Sequence, residues 1–392
     1  MFKKTTYAFV SFGLLALVAC GGDDPGNTTP APQDCTGEPD QVLDQGVVNT
    51  DTTLEGCVQV EQYVGITEGA KITVQPGTTL QFADGAGFKT QEAGALHAAG
   101  TQSEPILMTG SQATSGFWSG LYFENTTNPD NVLEYVTIEH AGKENDGSVV
   151  LDGEEGRISV ENVTIRDGKT SGFVIHTFNQ ATIESFEDNT ITGHATPMSV
   201  RADALTAITS SNSLTGNADD RVEVTDWLLS SDTTFHDIGV PLLITEGVGL
   251  PANAPVRLTI EPGVELVMSQ KTDITAQEDC VLNARGTADN PIIIRGKEQL
   301  AGYWTKIRFE ESRSADNVLE HVEISDAGAT EEVAVQVGGV TDGSQVVLND
   351  VSFENIDGTA IHANEYSEIL GCNNMSFNSV SGDDYNRTDA CQ

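Results

Sequence analysis

The sequence predicts an all-β fold built as a parallel β-helix. Three observations carry that reading: a gapless internal duplication, very short strands with one apolar face each, and no sustained helical period after residue 20. Residues 71–142 align with 257–328 at a constant offset of 186, and 26 of the 72 positions are identical. Lys71-Ile-Thr-Val-Gln-Pro-Gly matches Arg257-Leu-Thr-Ile-Glu-Pro-Gly, and Gly116-Phe-Trp matches Gly302-Tyr-Trp. Asp130-Asn-Val-Leu-Glu matches Asp316-Asn-Val-Leu-Glu, and both stretches continue to an Ala-Gly at 141–142 and 327–328. Such regularity points to one architecture repeated, not to two unrelated domains.

Within each half the apolar residues alternate in pairs. Ile72/Val74, Leu80/Phe82, Ile106/Met108, Leu121/Phe123 and Val136/Ile138 have counterparts in Leu258/Ile260, Leu266/Met268, Ile292/Ile294, Ile307/Phe309 and Val322/Ile324. Period-two alternation gives each strand one buried face. Gly, Asn and Asp cluster between strands, as in Pro76-Gly77, Asp84-Gly85 and Asp342-Gly343. A pair of antiparallel sandwiches would also be all-β, but it needs tight hairpin dipeptides such as Asn-Gly, and these do not recur. Stacked coils of about 22 residues predict roughly 15 turns, a rod near 70 Å long at about 4.8 Å per coil. Inward side chains stack on like residues above, and Gly or Asn closes the corners in the left-handed conformation. Trp118 and Trp304 fall at equivalent points and read as core plugs or as shields of a coil edge rather than as sugar contacts.

The N-terminus reads as an export signal. Lys3 and Lys4 precede an apolar run, Ala8 to Val18, too short to span a membrane. Leu17-Val-Ala-Cys20 resembles the lipobox of bacterial lipoproteins, which implies cleavage after residue 19 and lipid on Cys20. Gly21, at the place where Asp retains enterobacterial lipoproteins in the inner membrane, implies the outer membrane or cell surface. Residues 20–34 read as the lipidated Cys with a flexible tether. A first β-helix half with an N-terminal cap is expected over 35–220, and a second half with a disulfide-bearing C-terminal cap over 221–392.

Composition narrows the partners. The chain carries 59 acidic and 19 basic residues, and removal of Lys3 and Lys4 with residues 1–19 leaves 17 basic ones. That field repels phosphate backbones, so no nucleic-acid partner is expected, and the membrane is reached through the lipid. Cys35 with Cys57 and Cys372 with Cys391 read as two short-loop disulfides in an oxidising compartment, each stabilising by about 3 kcal/mol. Cys280, which aligns with Gly94, reads as a buried free thiol. No cofactor and no metal site are expected beyond weak calcium binding at acidic turns such as Asp130-Asn131, Asp152-Gly-Glu-Glu155 and Glu144-Asn-Asp146.

The succession "LTIEPGVELV", "GYW-x-x-I-x-F" and "DNVLEHVEI-x-x-AG" resembles the right-handed parallel β-helix lipoproteins of Gram-negative bacteria, within the pectin-lyase-like superfamily. The resemblance covers roughly residues 58–385. It implies a single-stranded right-handed helix and carries no activity with it. Enzymes of that superfamily cut acidic polysaccharides with clustered Asp, calcium and a basic residue, or with Asp pairs. The Asp219-Asp220 and Asp383-Asp384 pairs here lack an accompanying G-H-G or R-I-K stretch and read as turns. His176 and His362 are repeat-equivalent and read as stacked strand positions. No catalytic residue is assigned. The expected role is a surface-exposed, lipid-anchored, non-enzymatic scaffold or adhesive module that binds a glycan or a cell-surface protein. The alternative is a lyase or glycoside hydrolase acting on acidic polysaccharide.

Replacing Cys20 with Ala is expected to abolish incorporation of radiolabelled palmitate and to leave an unprocessed or soluble product. Equal labelling of wild type and variant would remove the lipid anchor, since no other Cys follows an apolar run.

Overall fold

A computed structural model describes residues 35, 37–143, 147–153, 155–176, 180–330, 332–339 and 343–386. Cys20, the residues before it, the tether and Cys391 lie outside the described residues. The chain forms a parallel β-solenoid of about 12 turns. In the first copy three faces recur on each turn. Leu80, Met108, Ile138, Ile165 and Ile191 pair in register up one of them. All five are fully buried, so a single column of aliphatic side chains runs up the interior. Burial of each stabilises by about 1.5–3 kcal/mol relative to exposure.

The turn count falls short of the 15 expected from sequence because coils differ in length. Seventeen residues separate Gln41 from its partner Val58, whereas 33 separate Thr90 from Phe123. The extra residues sit in loops between strands, where apolar alternation gives no signal.

The corners explain the repeated motifs. Asn131 and Asn317, the second residue of each Asp-Asn-Val-Leu-Glu run, are buried. Asn131 Oδ1 accepts the Leu96 N–H at 3.1 Å, and its Nδ2 donates to Thr126 Oγ1 at 3.0 Å. Asn317 does the same with the Leu282 N–H at 3.0 Å and Ser312 Oγ at 2.7 Å. The preceding Asp130 and Asp316 are engaged by Lys71 (3.0 Å) and Arg257 (2.7 Å), which are themselves repeat-equivalent. Each ion pair reaches across an intervening coil, which contributes Ala95 in the first copy and Val281 in the second, so both carboxylates are engaged and this acidic turn is not an open calcium site.

Corner residues in the left-handed region are not confined to Gly and Asn. Tyr135 and His321 occupy it at φ 47° and 48°, and His140 and Asp326 at 62° and 66°, again as repeat-equivalent pairs. The conformation disfavours an L-residue by roughly 1–2 kcal/mol. The cross-coil hydrogen bonds that follow, such as Tyr135 N–H to Glu161 O at 3.1 Å, offset that cost.

Both repeated tryptophans are fully buried and donate their indole N–H inside the wall, Trp118 to Glu139 O and Trp304 to Ser325 O, each at 2.6 Å. Trp118 stacks on Phe82 with ring centroids 3.9 Å apart. They are core plugs, as the sequence indicated. A disulfide joins Cys35 to Cys57 across the first coil, with Cα atoms 5.6 Å apart. Cys280 is free and buried, and burial pushes its thiol pKa up.

The two copies stack end to end with a shift of face. Thr79–Phe82 lies in the sheet begun by Gln41–Leu43. Its duplicate, Glu265–Met268, instead continues the neighbouring face through Leu242–Ile244, Val222–Val224 and Thr196–Val200. The solenoid therefore runs unbroken from one copy to the next, rotated by one face at the seam. The six-residue 3-10 turn Ala202–Ala207 falls at that seam.

Asn131→Ala leaves the buried Leu96 N–H without its acceptor, and a loss of about 2 kcal/mol is expected in urea unfolding. Hydrogen exchange should show the Leu96 amide exposed first. A Leu96 amide as protected as in wild type would contradict the role given to the asparagine.

Candidate binding face

The sequence-derived acidic pairs do not form a dyad. Asp219 is clamped by Arg221, whose Nε donates to Oδ1 at 2.8 Å, and this hydrogen bonding holds its carboxyl below the usual carboxylate range. Asp220 Oδ1 accepts the Asn217 N–H at 2.7 Å. The backbone carbonyls of Asp383 and Asp384 accept the N–H groups of Ala360 and Ile361 at the end of the solenoid. These are turns. His176 directly follows the strand Ser171–Ile175, and His362 lies within the strand Thr359–Ala363, in register with Gln336 of the coil below. Of the other acidic turns, Asp152 accepts the Tyr122 hydroxyl and its own neighbour's N–H, from Gly153, while Glu144-Asn-Asp146 lies outside the described residues. Among the described residues no group of three or more His, Cys, Asp or Glu is arranged to hold a metal ion.

One face does gather polar side chains, and sequence spacing alone did not point to it. It is the outer surface of the strands Glu265–Met268, Ile292–Gly296, Val318–Ser325, Gln345–Ile356 and Ser376–Val380. Outward residues align in register up the coils: Ile293, Glu323, Ser352 and Ser376 in one column, and Ser325, Glu354 and Asn378 in the next. Two recesses flank these columns. One, about 250 Å³, is bounded by Thr287, Pro291, His321, Glu323, Asp350 and Ser352. The other, about 420 Å³, is bounded by Arg295, Gln299, Asp326, Glu354 and Asn355. The loops before and after the strand Ile292–Gly296 supply Thr287 and Pro291 to the first and Gln299 to the second, so the face is a shallow trough.

Most of its charged groups are engaged. Arg295 Nε donates to Glu265 Oε1 at 2.6 Å, and Asn378 Nδ2 donates to Glu354 Oε1 at 3.3 Å. Buried Asp326 accepts the Gly296 N–H at 3.2 Å and Asn355 Nδ2 at 2.7 Å. Asp350 accepts Asn374 Nδ2 at 2.9 Å and lies 3.9 Å from His321 Nε2. Glu323 has no hydrogen-bond or ion-pair partner among the described residues. The equivalent face of the first copy carries Thr109, Thr137 and Glu139 in place of Arg295, Glu323 and Ser325.

A serine–histidine pair that sequence reading missed lies elsewhere. Ser148 Oγ is 3.0 Å from His194 Nε2, and His194 Nδ1 is 2.9 Å from Thr192 O. The residues are 46 apart in sequence, so no linear motif betrays them. Both are buried, and a side chain on Gly168 would strike both. A substrate has no approach to Ser148, and the pair is a core hydrogen bond.

Burial lowers the His194 pKa below its ordinary value of 6.5. The folded protein therefore holds this imidazole neutral, while the unfolded chain takes a proton as pH falls through about 6.5. The stability tied to neutral His194 is complete above that pH and is lost as pH falls toward the folded value. In urea titrations the stability gap between wild type and His194→Gln should narrow between pH 7.5 and pH 5. A gap independent of pH would contradict a neutral buried imidazole.

Comparison with protein-family models, with curated proteins and with solved structures returned no significant match for this chain.

Proposed function

We propose that the chain is an exported, lipid-anchored β-helix of the pectin-lyase-like kind, held at the outer membrane or cell surface. On this reading the polar face of its second copy binds a neutral glycan without cleaving it. The observation that carries the reading is the in-register array of Glu323, Ser352, Ser376, Ser325, Glu354 and Asn378 between two flanking recesses. Parallel coils repeat at about 4.8 Å, close to the length of one pyranose unit in an extended glycan. Hydroxyl, amide and carboxylate groups at that interval match the hydroxyls of successive sugars, and an open trough admits a polymer anywhere along its length.

Charge decides the class of glycan. Glu265, Glu323, Asp350 and Glu354 stand against Arg295 on this face, within a chain of net charge −40. A polyuronate meets repulsion there, which speaks against the acidic-polysaccharide lyase or hydrolase. Glycoside hydrolysis also uses two carboxylates facing the scissile bond. Here the carboxylates other than Glu323 are held by Arg295, Asn355, Asn374 or Asn378.

Calorimetric titration of the protein with neutral oligosaccharides chosen from a glycan array should give binding with no release of reducing ends or unsaturated products. Glu323→Ala should weaken it about tenfold, equivalent to 1.4 kcal/mol, at an unchanged melting temperature. Product formation would replace this reading with the hydrolase or lyase, and failure of every glycan to bind would overturn it.

A further inference from the structure

The two ends of the solenoid differ. In the first coil the inward residues Leu43, Val48 and Leu54 are buried within the core. In the last coil Cys372, Phe377 and Val380 stand in register over Leu348, Phe353 and Ile356. The lower three are fully buried, whereas the upper three, with Met375 and Tyr385 beside them, are only partly covered. The strands Glu368–Asn373 and Ser376–Val380 pair with Gln345–Ile356 below and with no strand above among the described residues. The apolar interior therefore opens at this end, between strands with a free edge. Such an edge is a template for pairing with another chain.

The chain has begun to cross this opening. Tyr385 bridges to Ile361 and sets its ring edge-on to Phe377, with centroids 5.3 Å apart. Asn386 Oδ1 accepts the Ala363 N–H at 2.8 Å, and its Nδ2 donates to Ala363 O at 2.9 Å. Residues 387–392 follow, outside the described residues. Cys372 is disulfide-bonded. Cys35 is joined to Cys57 and Cys280 is free, so its partner is Cys20 or Cys391. Cys20 lies 15 residues before Cys35, and a tether of about 50 Å at full extension would barely run back along about 12 turns. Cys391 lies five residues past Asn386, about 17 Å at full extension, which spans one face of the last coil.

We propose that residues 387–392 cap the open end, tied down by a Cys372–Cys391 disulfide, and that this bond keeps the C-terminal edge from pairing with a second copy. Opening the cap is a two-electron step. An external dithiol reduces the bond, is itself oxidised to a disulfide, and leaves thiols on Cys372 and Cys391. Phe377, Val380 and the free strand edges are then uncovered. The buried first coil offers no matching end, so association through open ends stops at a pair instead of growing into a filament. An oxidising compartment closes the cap. The glycan reading uses the outward side chains of these strands, and the cap covers the inward ones, so either proposal can fail alone.

Peptide mapping of the full protein without reduction should yield a fragment linking Cys372 to Cys391. A Cys372 linked to Cys20 or to a second chain would overturn the proposal. The variant Cys372→Ala/Cys391→Ala removes the bond and leaves no thiol at the end. Amide exchange in Glu368–Asn373 and Ser376–Val380 should rise at least about tenfold. Gln41–Leu43 should exchange as in the wild type, because a fault in a stack stays with its neighbouring coils. Sedimentation should show a monomeric wild type and a variant that pairs increasingly with concentration. Dithiol treatment of the wild type should reproduce both changes at the C-terminal strands without any substitution. Unchanged exchange there, a variant that stays monomeric, or a wild type that pairs equally well would each sink the proposal.

Discussion

Each interior strand of the solenoid depends on the coil above and the coil below for its backbone hydrogen bonds. A strand of three to five residues has no stability alone, and a slip of one residue would turn its buried side chains outward. Register therefore has to be set at the corners, between strands. The buried asparagines do this by replacing a backbone acceptor with a side-chain one, as Asn131 does for the Leu96 N–H and Asn189 for the Val163 N–H. The left-handed residues do it by reversing the chain within one position. Stability in such a stack is a sum of neighbour terms, so an error at one corner is felt on two coils and little beyond.

The same dependence accounts for the seam. Placing the second copy's Glu265–Met268 above Leu242–Ile244 keeps the strand pairing continuous, but it sets the copies one face out of step. The corner asparagines of the first copy cannot then fall directly beneath those of the second. A 3-10 turn and a non-repeating stretch fill the mismatch, and there the chain presents an exposed tryptophan and a fixed arginine that no repeat would have provided.

Much of the wall was legible in sequence because its determinants are local. Alternating pairs such as Leu80/Phe82 specify a strand, and paired Gly-aromatic-Trp runs specify matching plugs. The number of turns was not legible, because loops such as 111–119 add residues without adding a coil. The polar face was not legible either. Glu323 and Ser352 are 29 residues apart and touch only through register. Ser148 and His194 are separated further still. Periodicity within a strand reports which side is buried, and it carries no information on which residue of the next coil will lie beside it.

Inside and outside have been held to different standards in the two copies. On the coils of the polar face, Leu80, Ile106, Val136 and Ile138 recur identically as Leu266, Ile292, Val322 and Ile324. Between them, Thr109, Thr137, Glu139 and His140 have become Arg295, Glu323, Ser325 and Asp326. Exposure alone does not explain this divergence. On the adjoining face the hydrogen bond from Gln91 Nε2 to Glu124 (2.6 Å) recurs from Gln277 Nε2 to Glu310 (3.1 Å). A cross-coil pair is kept where it ties the wall together, and the side chains change where the wall is open as a trough. Packing keeps the inner residues apolar, and where they differ, as Phe82 and Met108 do from Met268 and Ile294, one large apolar side chain stands for another. The outer columns carry no such penalty, so a duplicated solenoid is free to present two chemically different surfaces on an interior that stays apolar throughout.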